Sequence, residues 1–366
     1  MVNDTIDFNA VRRVLVTKLR HHGDVLLSSP VFSTLKAHAP HLEIDALVYY
    51  ETAPMLANHP AIENIFTIDR QWKRQGWLAQ GRDESRLLSK LSARRYDLLV
   101  HLTEHPRGAW LRRLLRIPHA VAPNRPDASS WWRHSFSHLY ALPRGTMRHM
   151  VEINLDALRK IGIQPDAAAK RVVMVPGANA DARIAELMRE HGLEAGSFIQ
   201  LHPGSRWLFK CWPDERVAEL IRRLVDEGER IVITGAPDPV EQAMIERILA
   251  NVPAGVVSLA GQLSLPELAA LTGQARGFVG VDSAPMHIAS AMQTPAVALF
   301  GPSGEIRWRP WMVVHRVVAS DVHPCRPCGN DGCGGSKISD CLTTLPVQRV
   351  HAALRELVPL PVPLAR

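Results

Sequence analysis

The sequence predicts an α/β protein built from two tandem domains, each with a parallel sheet covered by helices. Three observations predict this. The chain has 366 residues, more than one hydrophobic core normally serves. Short runs rich in Val, Ile and Leu alternate with amphipathic segments, which is the pattern of βαβ units. The alternation stops at a Pro/Ala-rich stretch over 164–169 and then restarts, which indicates a domain boundary near residue 170.

In the first half, compact apolar runs predict the strands of a sheet that is buried on both faces. These runs are RRVLVTKL (12–19), IDALVYY (44–50), NIFTID (64–69) and DLLVHL (97–102). Segments with a helical spacing of apolar residues lie between and after them. We therefore predict helices over 25–38, 80–94, 107–116 and 147–163.

The second half repeats the pattern with clearer helix boundaries. Strands are predicted at SFIQLH, RIVITG, GFVGV and PAVALFG. One helix begins after Pro213 and ends at Gly228, and another begins with the capping-box pair Ser264 and Glu267. The strand GFVGV leads through a short turn into a third helix that ends near Met292.

This organisation predicts two Rossmann-like, doubly wound domains facing a central cleft. We assign the first to residues 1–170 and the second to 171–345. A C-terminal helix and tail over 346–366 could return to the first domain, and the last segment, VPLPVPLAR, is predicted to be frayed.

Composition limits the classes of protein to consider. The hydrophobic fraction of 46% and the charged fraction of 22% are ordinary for a water-soluble chain. No apolar run approaches the roughly 20 residues that span a bilayer. Asp4 and Asp7 precede the first apolar run, which is unlike a secretory signal, so we expect a cytoplasmic protein.

The net charge of +7 lies in the first half of the chain. Residues 101–150 alone contain eight Arg or Lys, two acidic residues and six histidines, with Trp110, Trp131 and Trp132 among them. Such a segment favours an acidic partner, although a solvated basic face has the same composition. We find no zinc-finger, ribonucleoprotein or helix-turn-helix signature and expect no nucleic acid.

Three turns carry chemically unusual residues: RHHGD (20–24), HPGSRWLFKCWP (202–213) and GVDSAPMH (280–287). Turns that follow strands are where open α/β sheets bind ligands. Gly204 and Ser205 could offer backbone N–H groups to a phosphate, and Lys210 could add a charge, although a glycine turn beside a solvated lysine is also common. The motifs G-x-G-x-x-G, G-x-x-x-x-G-K-[ST] and D-x-D are absent.

Two aspartates precede predicted helices and have two interpretations. Asp24 and Asp282 could be N-caps, for which Asp is favoured, or functional carboxylates. Ser283 and His287 lie one helical turn apart beside Asp282, a set that suits a diphosphate or a polyhydroxylated ligand. His287 could equally be a structural histidine.

Four of the five cysteines form a late cluster with the spacing C-x2-C-x4-C-x7-C. In a cytoplasmic chain this spacing favours a four-thiolate zinc or iron–sulfur site over disulfides. The alternative is a set of reduced cysteines in a Gly-rich loop. The candidate metal ligands are Cys325, Cys328, Cys333 and Cys341.

The segments KLRHHGDVLLSSPVF, LHPGSRWLFKCWP and VGVDSAPMHIASA…TPAVALFGPS together resemble glycosyltransferase family 9, the bacterial heptosyltransferases of lipopolysaccharide core assembly. The resemblance covers residues 12 to 350, and FKCW and RWRPW are most similar to the heptosyltransferase III group. It implies the GT-B fold and an inverting transfer that needs no metal, in agreement with the missing D-x-D.

The resemblance also implies roles for individual residues. Asp24 matches the catalytic base, Gly204, Ser205 and Lys210 match the donor diphosphate site, and Asp282 matches the residue that binds the donor sugar, with Ser283 and His287 beside it. Glu241 matches more loosely the acid that contacts the nucleotide ribose. The candidate acceptor contacts in the basic half are Lys18, Arg112, Arg113 and Arg116.

The implied donor is ADP-L-glycero-D-manno-heptose, and the implied acceptor is an inner-core heptose on a lipid A-linked oligosaccharide at the cytoplasmic face of the inner membrane. Other readings are a hexosyltransferase or 2-epimerase of the same fold, and a non-catalytic protein that binds nucleotide sugars or nucleic acid. No cofactor is expected to be required for catalysis.

Overall fold

The computed structural model describes residues 5–74, 76–125, 127–142 and 148–359. The chain divides into two compact units between Met174 and Val175, close to the predicted boundary. Each unit contains one six-stranded sheet in which every pair of neighbouring strands is parallel. The predicted α/β class with two Rossmann-like domains is confirmed.

The sheet of the first unit contains the four predicted strands and two that the sequence analysis missed. The strands are β1 (Arg13–Thr17), β2 (Glu43–Tyr49), β3 (Asn64–Ile68), β4 (Leu98–His101), β5 (His119–Asn124) and β6 (His138–Ala141). The helices are α1 (His22–Leu26), α2 (Ser29–His38), α3 (Trp77–Arg94), α4 (Arg107–Leu114), α5 (Ser130–Arg133) and α6 (Met150–Lys160).

The predicted helix over 25–38 is two helices, α1 and α2. Pro30 lies in the first turn of α2 and has no N–H to donate to a carbonyl of the preceding turn. The Ser28 hydroxyl donates to the Val25 carbonyl at 2.6 Å, at the end of α1. The break leaves α1 as a five-residue helix that holds Asp24. The predicted helix over 147–163 is α6, which begins after His149; residue 147 lies outside the described residues.

The second unit repeats the first, with a sheet of six further strands. These are β7 (Phe198–His202), β8 (Arg230–Ile233), β9 (Val257–Ser258), β10 (Gly277–Val281), β11 (Ala296–Phe300) and β12 (His315–Ala319). The helices are α7 (Ala178–Glu190), α8 (Asp214–Asp226), α9 (Pro239–Leu249), α10 (Leu265–Gln274), α11 (Ala284–Met292), α12 (Glu305–Trp308), α13 (Asp340–Thr343) and α14 (Val347–Leu357). The predicted capping box of Ser264 and Glu267 is present at α10.

The order of the strands fixes where each unit can bind a ligand. The first sheet has the order β3-β2-β1-β4-β5-β6 and the second has the order β12-β11-β10-β7-β8-β9. In each sheet the strand order reverses at one point, between β1 and β4 and between β7 and β10. A crevice opens outside the carboxyl ends of the strands at such a point. The loops that follow β1, β7 and β10 carry the three unusual turns of the sequence.

Apolar packing holds the helices on both sheets. Fully buried side chains from β1 and β4 form one core with α3 and α4, and those from β7, β8 and β10 form another with α8, α9 and α14. Helix α14 packs on β12, β11 and α8 and is part of the second compact unit. Most of the segment predicted to be frayed, residues 360–366, lies outside the described residues. In the described part of the chain, no helix is long and apolar enough to cross a membrane.

Candidate active site

The second unit brings a lysine and an aspartate together at its strand-order reversal. Lys210 lies in a short 3-10 turn after β7, and Asp282 follows β10 directly. The Lys210 Nζ atom lies 2.6 Å from the Asp282 Oδ2 atom. Asp282 is buried, with 6% of its surface exposed, and the Lys210 side chain is 22% exposed. The two predicted donor-site residues therefore meet, and the lysine retains access to solvent.

Helix α11 begins beside this ion pair. Ser283 is its N-cap in an extended conformation, so Asp282 precedes the cap and is not the cap itself. The Ser283 hydroxyl oxygen is buried and has no hydrogen-bond partner among the described residues. A helix N-terminus offers backbone N–H groups and a positive dipole end to an anion. His287 is buried one turn later, with its ring centroid 6.4 Å from that of Trp308.

A third group of polar side chains lies against the turn after β7. The Glu241 Oε1 atom lies 3.3 Å from the His202 Nε2 atom and accepts a hydrogen bond of 2.8 Å from the Ala236 backbone N–H. Burial alone would raise the pKa of Glu241, but the contacts with His202 and Ala236 hold this pKa below its ordinary value. The carboxylate therefore stays ionised beneath the Gly204 turn.

Gly204 is required by that contact. A Cβ atom at this position would lie 2.1 Å from the Glu241 Oε1 atom. The backbone of the HPGS turn can approach the carboxylate only because residue 204 has no side chain. Ser205 is buried beside it, and its hydroxyl oxygen accepts from the Trp207 N–H at 3.3 Å.

In the first unit, Asp24 is not a helix cap. It lies within α1, whose N-cap is His21, and no side-chain hydrogen bond caps this helix. Its side chain is 12% exposed, and the Arg20 Nε atom lies 3.9 Å from its Oδ1 atom. The alternative in which Asp24 is an N-cap is therefore wrong.

Lys18 is placed differently from the sequence prediction. Its side chain is buried, and its Nζ atom donates to the Leu102 carbonyl at 3.2 Å and to the Asn154 Oδ1 atom at 2.9 Å. Burial lowers the pKa of Lys18 to about 8, against the opposing effect of the Asp24 carboxylate. These partners hold the ammonium inside the unit, so Lys18 is not part of an exposed acceptor surface.

The predicted arginines lie on and after α4. Arg112 is half-buried, whereas Arg113 and Arg116 are exposed. Trp110 on the same helix is 55% exposed and packs on Trp131, with ring centroids 5.0 Å apart. The Arg113 guanidinium lies 5.6 Å from the centroid of the Trp131 ring, and Leu114 is 58% exposed. We refer to the following five residues as the aromatic–basic patch: Trp110, Arg113, Leu114, Arg116 and Trp131.

The predicted metal site is not formed. Cys325, Cys328 and Cys333 are exposed, whereas Cys341 is buried at the start of α13. In the described ranges, no group of three or more His, Cys, Asp or Glu side chains is arranged to hold a metal ion. Helix α13 holds Cys341 against Gly301: its Sγ atom lies 3.6 Å from the position that a Cβ atom of residue 301 would take. The other three thiols lie at the surface.

Two residues of this site were missed by the sequence analysis. His202 ends β7 and connects the Thr234 hydroxyl, 3.0 Å from its Nδ1 atom, to Glu241. The available sequence signal was that His202 is the last residue of the strand that leads into the glycine turn. Trp207 lies in the quoted motif and is exposed by 43% beside the buried Phe209.

Comparison with known proteins decides the family. The model of glycosyltransferase family 9 (heptosyltransferase) matches residues 85–338, more than half of the chain. Lipopolysaccharide heptosyltransferase 3 of Escherichia coli is 36% identical over 297 residues, which are 80% of this chain and 84% of the relative. The chain belongs to glycosyltransferase family 9.

Solved structures agree with this family 9 fold. A glycosyl transferase family 9 structure from Veillonella parvula matches with a TM-score of 0.83 at 21% identity, covering 97% of this chain and 99% of the other. The E. coli heptosyltransferase WaaC with ADP-2-deoxy-2-fluoro heptose matches with a TM-score of 0.71 at 21% identity, covering 94% of this chain and 99% of the other. The family 9 chain is thus a glycosyltransferase with the two-domain GT-B architecture.

Proposed function

We propose that this glycosyltransferase moves L-glycero-D-manno-heptose from ADP-heptose to an inner-core heptose of lipopolysaccharide, with inversion at the anomeric carbon and without a metal ion. The observation that carries the proposal is the meeting of Lys210, Asp282 and the α11 N-terminus at the strand-order reversal of the second sheet. The 36% identity to a lipopolysaccharide heptosyltransferase 3 supports the choice of sugar and acceptor. The WaaC structure with an ADP-heptose analogue supports the nucleotide.

The leaving group of this reaction is ADP, whose diphosphate gains negative charge as the anomeric bond breaks. Three groups would stabilise this charge: the Lys210 ammonium, the backbone N–H groups of Gly204 and Ser205, and the start of α11. A cation and fixed dipoles can do so without a metal ion. Binding a diphosphate would also compete for Lys210 and release the Asp282 carboxylate to accept hydrogen bonds from sugar hydroxyls. Glu241, ionised near Gly204, would accept from the ribose.

The nucleophile is a sugar hydroxyl, which attacks well only when a base removes its proton. Asp24 is the carboxylate that we assign to this step. The acceptor oxygen forms the new bond to the anomeric carbon, its proton passes to Asp24, and the electron pair of the broken bond leaves with ADP. A single displacement of this kind inverts the anomeric configuration.

We also propose that the protein works at the cytoplasmic face of the inner membrane and contacts it peripherally. The aromatic–basic patch supports this, because exposed Trp and Leu side chains beside arginines suit the headgroup region of an anionic bilayer. The same arginines could contact phosphates of a lipid A-linked acceptor.

The test is turnover by the full chain with ADP-L-glycero-D-manno-heptose and an inner-core oligosaccharide that lacks the branching heptose. We expect one added heptose by mass spectrometry, an inverted anomeric centre by NMR, and unchanged rates in EDTA. Turnover of a UDP-hexose in place of ADP-heptose would indicate a hexosyltransferase, and conversion of a nucleotide sugar without an acceptor would indicate an epimerase. Nucleotide-sugar binding without turnover would indicate a binding protein.

A further inference from the structure

The residues assigned above to the donor site are polar, apart from Gly204. The groups of this site are charges, hydroxyls and backbone N–H groups, which recognise phosphates and the hydroxyl edges of a sugar. A pyranose ring also has an apolar C–H face, and small-molecule sites normally provide apolar or aromatic surface for such faces. The loop that positions Lys210 contains an aromatic ring with this property.

Trp207 lies three positions before Lys210, and both are held by the same short turn. The Lys210 N–H donates to the Trp207 carbonyl at 2.8 Å, and the Trp207 N–H donates to the Ser205 hydroxyl at 3.3 Å. The Trp207 backbone is therefore hydrogen-bonded to two of the residues that we assign to the diphosphate. Despite these constraints, 43% of Trp207 is exposed.

The loop beneath the indole is fixed rather than loosely placed. Phe209 is buried and lies with its ring centroid 6.0 Å from that of Trp207, and the Ser339 hydroxyl donates to the Phe209 carbonyl at 2.6 Å. The Arg206 guanidinium lies 5.3 Å from the centroid of the Trp207 ring. A large ring that packs against Phe209 and Arg206 on a fixed loop has little conformational entropy to lose when a ligand packs on it.

We propose that Trp207 is a stacking surface for a sugar ring in the transfer reaction. The ligand chemistry is the apolar C–H face of a pyranose, which either the donor heptose or the acceptor heptose could present. The inference rests on the proposed function for the identity of these sugars. It adds a specificity residue that contacts the sugar and neither the adenine nor the diphosphate.

The experiment compares Trp207→Ala and Trp207→Phe with Leu208→Ala in the full chain. Leu208 is the matched control, because it is the next residue, is 49% exposed, and has no assigned role. Affinities for ADP and for ADP-heptose are measured by calorimetry, and the KM of the acceptor is measured by turnover. If the donor sugar stacks, Trp207→Ala weakens ADP-heptose roughly tenfold and leaves ADP unchanged. If the acceptor stacks, both affinities are unchanged and the acceptor KM rises by a similar factor.

In either case Trp207→Phe keeps most of the wild-type ADP-heptose affinity and acceptor KM, and Leu208→Ala resembles the wild type. An equal loss of ADP and ADP-heptose affinity in Trp207→Ala would overturn the proposal, because it would assign the ring to the nucleotide. Unchanged affinities together with an unchanged acceptor KM would also overturn it. Failure of the wild type to use ADP-heptose is a separate result that would contradict the proposed function. In that case, comparing the nucleotide sugar that the wild type does bind with its bare nucleotide still tests Trp207.

Discussion

Lys210 and Asp282 are 72 positions apart in the sequence, yet the Lys210 Nζ atom lies 2.6 Å from the Asp282 Oδ2 atom. The pair joins the loop after β7 to the loop after β10, on either side of the strand-order reversal. Because Asp282 is 6% exposed, the lysine offsets the cost of burying its carboxylate. The contact has a structural function in the free enzyme and, in our proposal, is exchanged when the donor binds.

We predict that Lys210→Ala loses both stability and ADP affinity. The substitution leaves a buried carboxylate unpaired, which costs about 3 kcal/mol or more, and removes a charge that meets the diphosphate. The double variant Lys210→Ala/Asp282→Asn should recover most of the stability and none of the ADP affinity. Urea unfolding and ADP titrations of the three proteins separate the two effects. Recovery of ADP affinity in the double variant would contradict the assignment of Lys210 to the diphosphate.

Asp24→Asn is predicted to lower kcat while folding and donor binding remain unchanged. The amide keeps the size of the side chain but cannot accept the proton, and a general base contributes roughly 10²–10⁴-fold to a rate. Asp83→Asn is the matched control, because the Asp83 carboxylate is 18% exposed, similarly close to arginines, and distant in sequence from the unusual turns. A near-normal kcat in Asp24→Asn would show that another group removes the proton.

Gly204→Ala tests the close approach of the HPGS turn to Glu241. The added Cβ atom would lie 2.1 Å from the Glu241 Oε1 atom, so the turn or the carboxylate must move. We expect lower stability by about 1–3 kcal/mol and weaker binding of ADP. Gly81→Ala, on the exposed side of α3 with nothing within 4 Å of the new atom, should be neutral or slightly stabilising. Equal melting temperatures for both variants would mean that the turn relaxes freely.

The sequence predicted the parts of this molecule that depend on local pattern. The strands β1, β4, β7, β10 and β11 are rich in apolar residues, and the chain restarts the same alternation after residue 170. The missed strands β6, β9 and β12 lie at sheet edges, and β5 contains Pro123, so none of them shows a long apolar run. Their pairing is set by tertiary contacts.

The positions of Gly204, Lys210 and Asp282 after β7 and β10 were predictable, because a motif and a strand end coincide there, and their chemical roles stay predictions. Burial of single side chains was not. Lys18 sits at the end of β1, where an exposed ligand is expected, and only the fold shows that Asn154 and Leu102 enclose its ammonium. The cysteine spacing likewise could not reveal that Cys341 is buried in α13 while Cys325, Cys328 and Cys333 are exposed.

The aromatic–basic patch is predicted to mediate binding to anionic membranes. Arg113→Gln combined with Arg116→Asn should reduce binding to phosphatidylglycerol vesicles roughly tenfold or more, since each basic residue near such a surface contributes about 1 kcal/mol. Asn is chosen at 116 because Arg116 has a φ of 52°. Trp110→Ser should weaken binding further, and the affinity for ADP should not change. The control pair Arg183→Gln and Arg216→Gln removes two charges from the second unit. Equal vesicle binding by both charge pairs would contradict the patch.

His101 is predicted to make the first unit sensitive to acid. Its imidazole is buried between β4 and α4, with Nε2 2.9 Å from the His105 carbonyl, and its Nδ1 atom accepts from the Thr17 hydroxyl. Burial lowers the pKa of His101 to about 4, against the opposing effect of the hydrogen bond to the His105 carbonyl, and the charges of His105 and Lys18 lower this pKa further. The unfolded chain, with an ordinary pKa of 6.5, therefore binds this proton first as the pH falls. The free energy of unfolding therefore has its full contribution from neutral His101 above pH 6.5. It falls by up to about 3 kcal/mol as the pH approaches 4.

His101→Gln removes this titration, because a glutamine can donate to the His105 carbonyl and accept from Thr17 without changing charge. We expect its unfolding free energy to fall less steeply than that of the wild type between pH 6.5 and 4, whatever its value at pH 7. His59, whose pKa burial also lowers to about 4, titrates in both proteins and cancels in the comparison. Thr17→Val keeps the buried imidazole and should retain the wild-type slope. Parallel slopes for the wild type and His101→Gln would show that His101 is not responsible for the acid sensitivity.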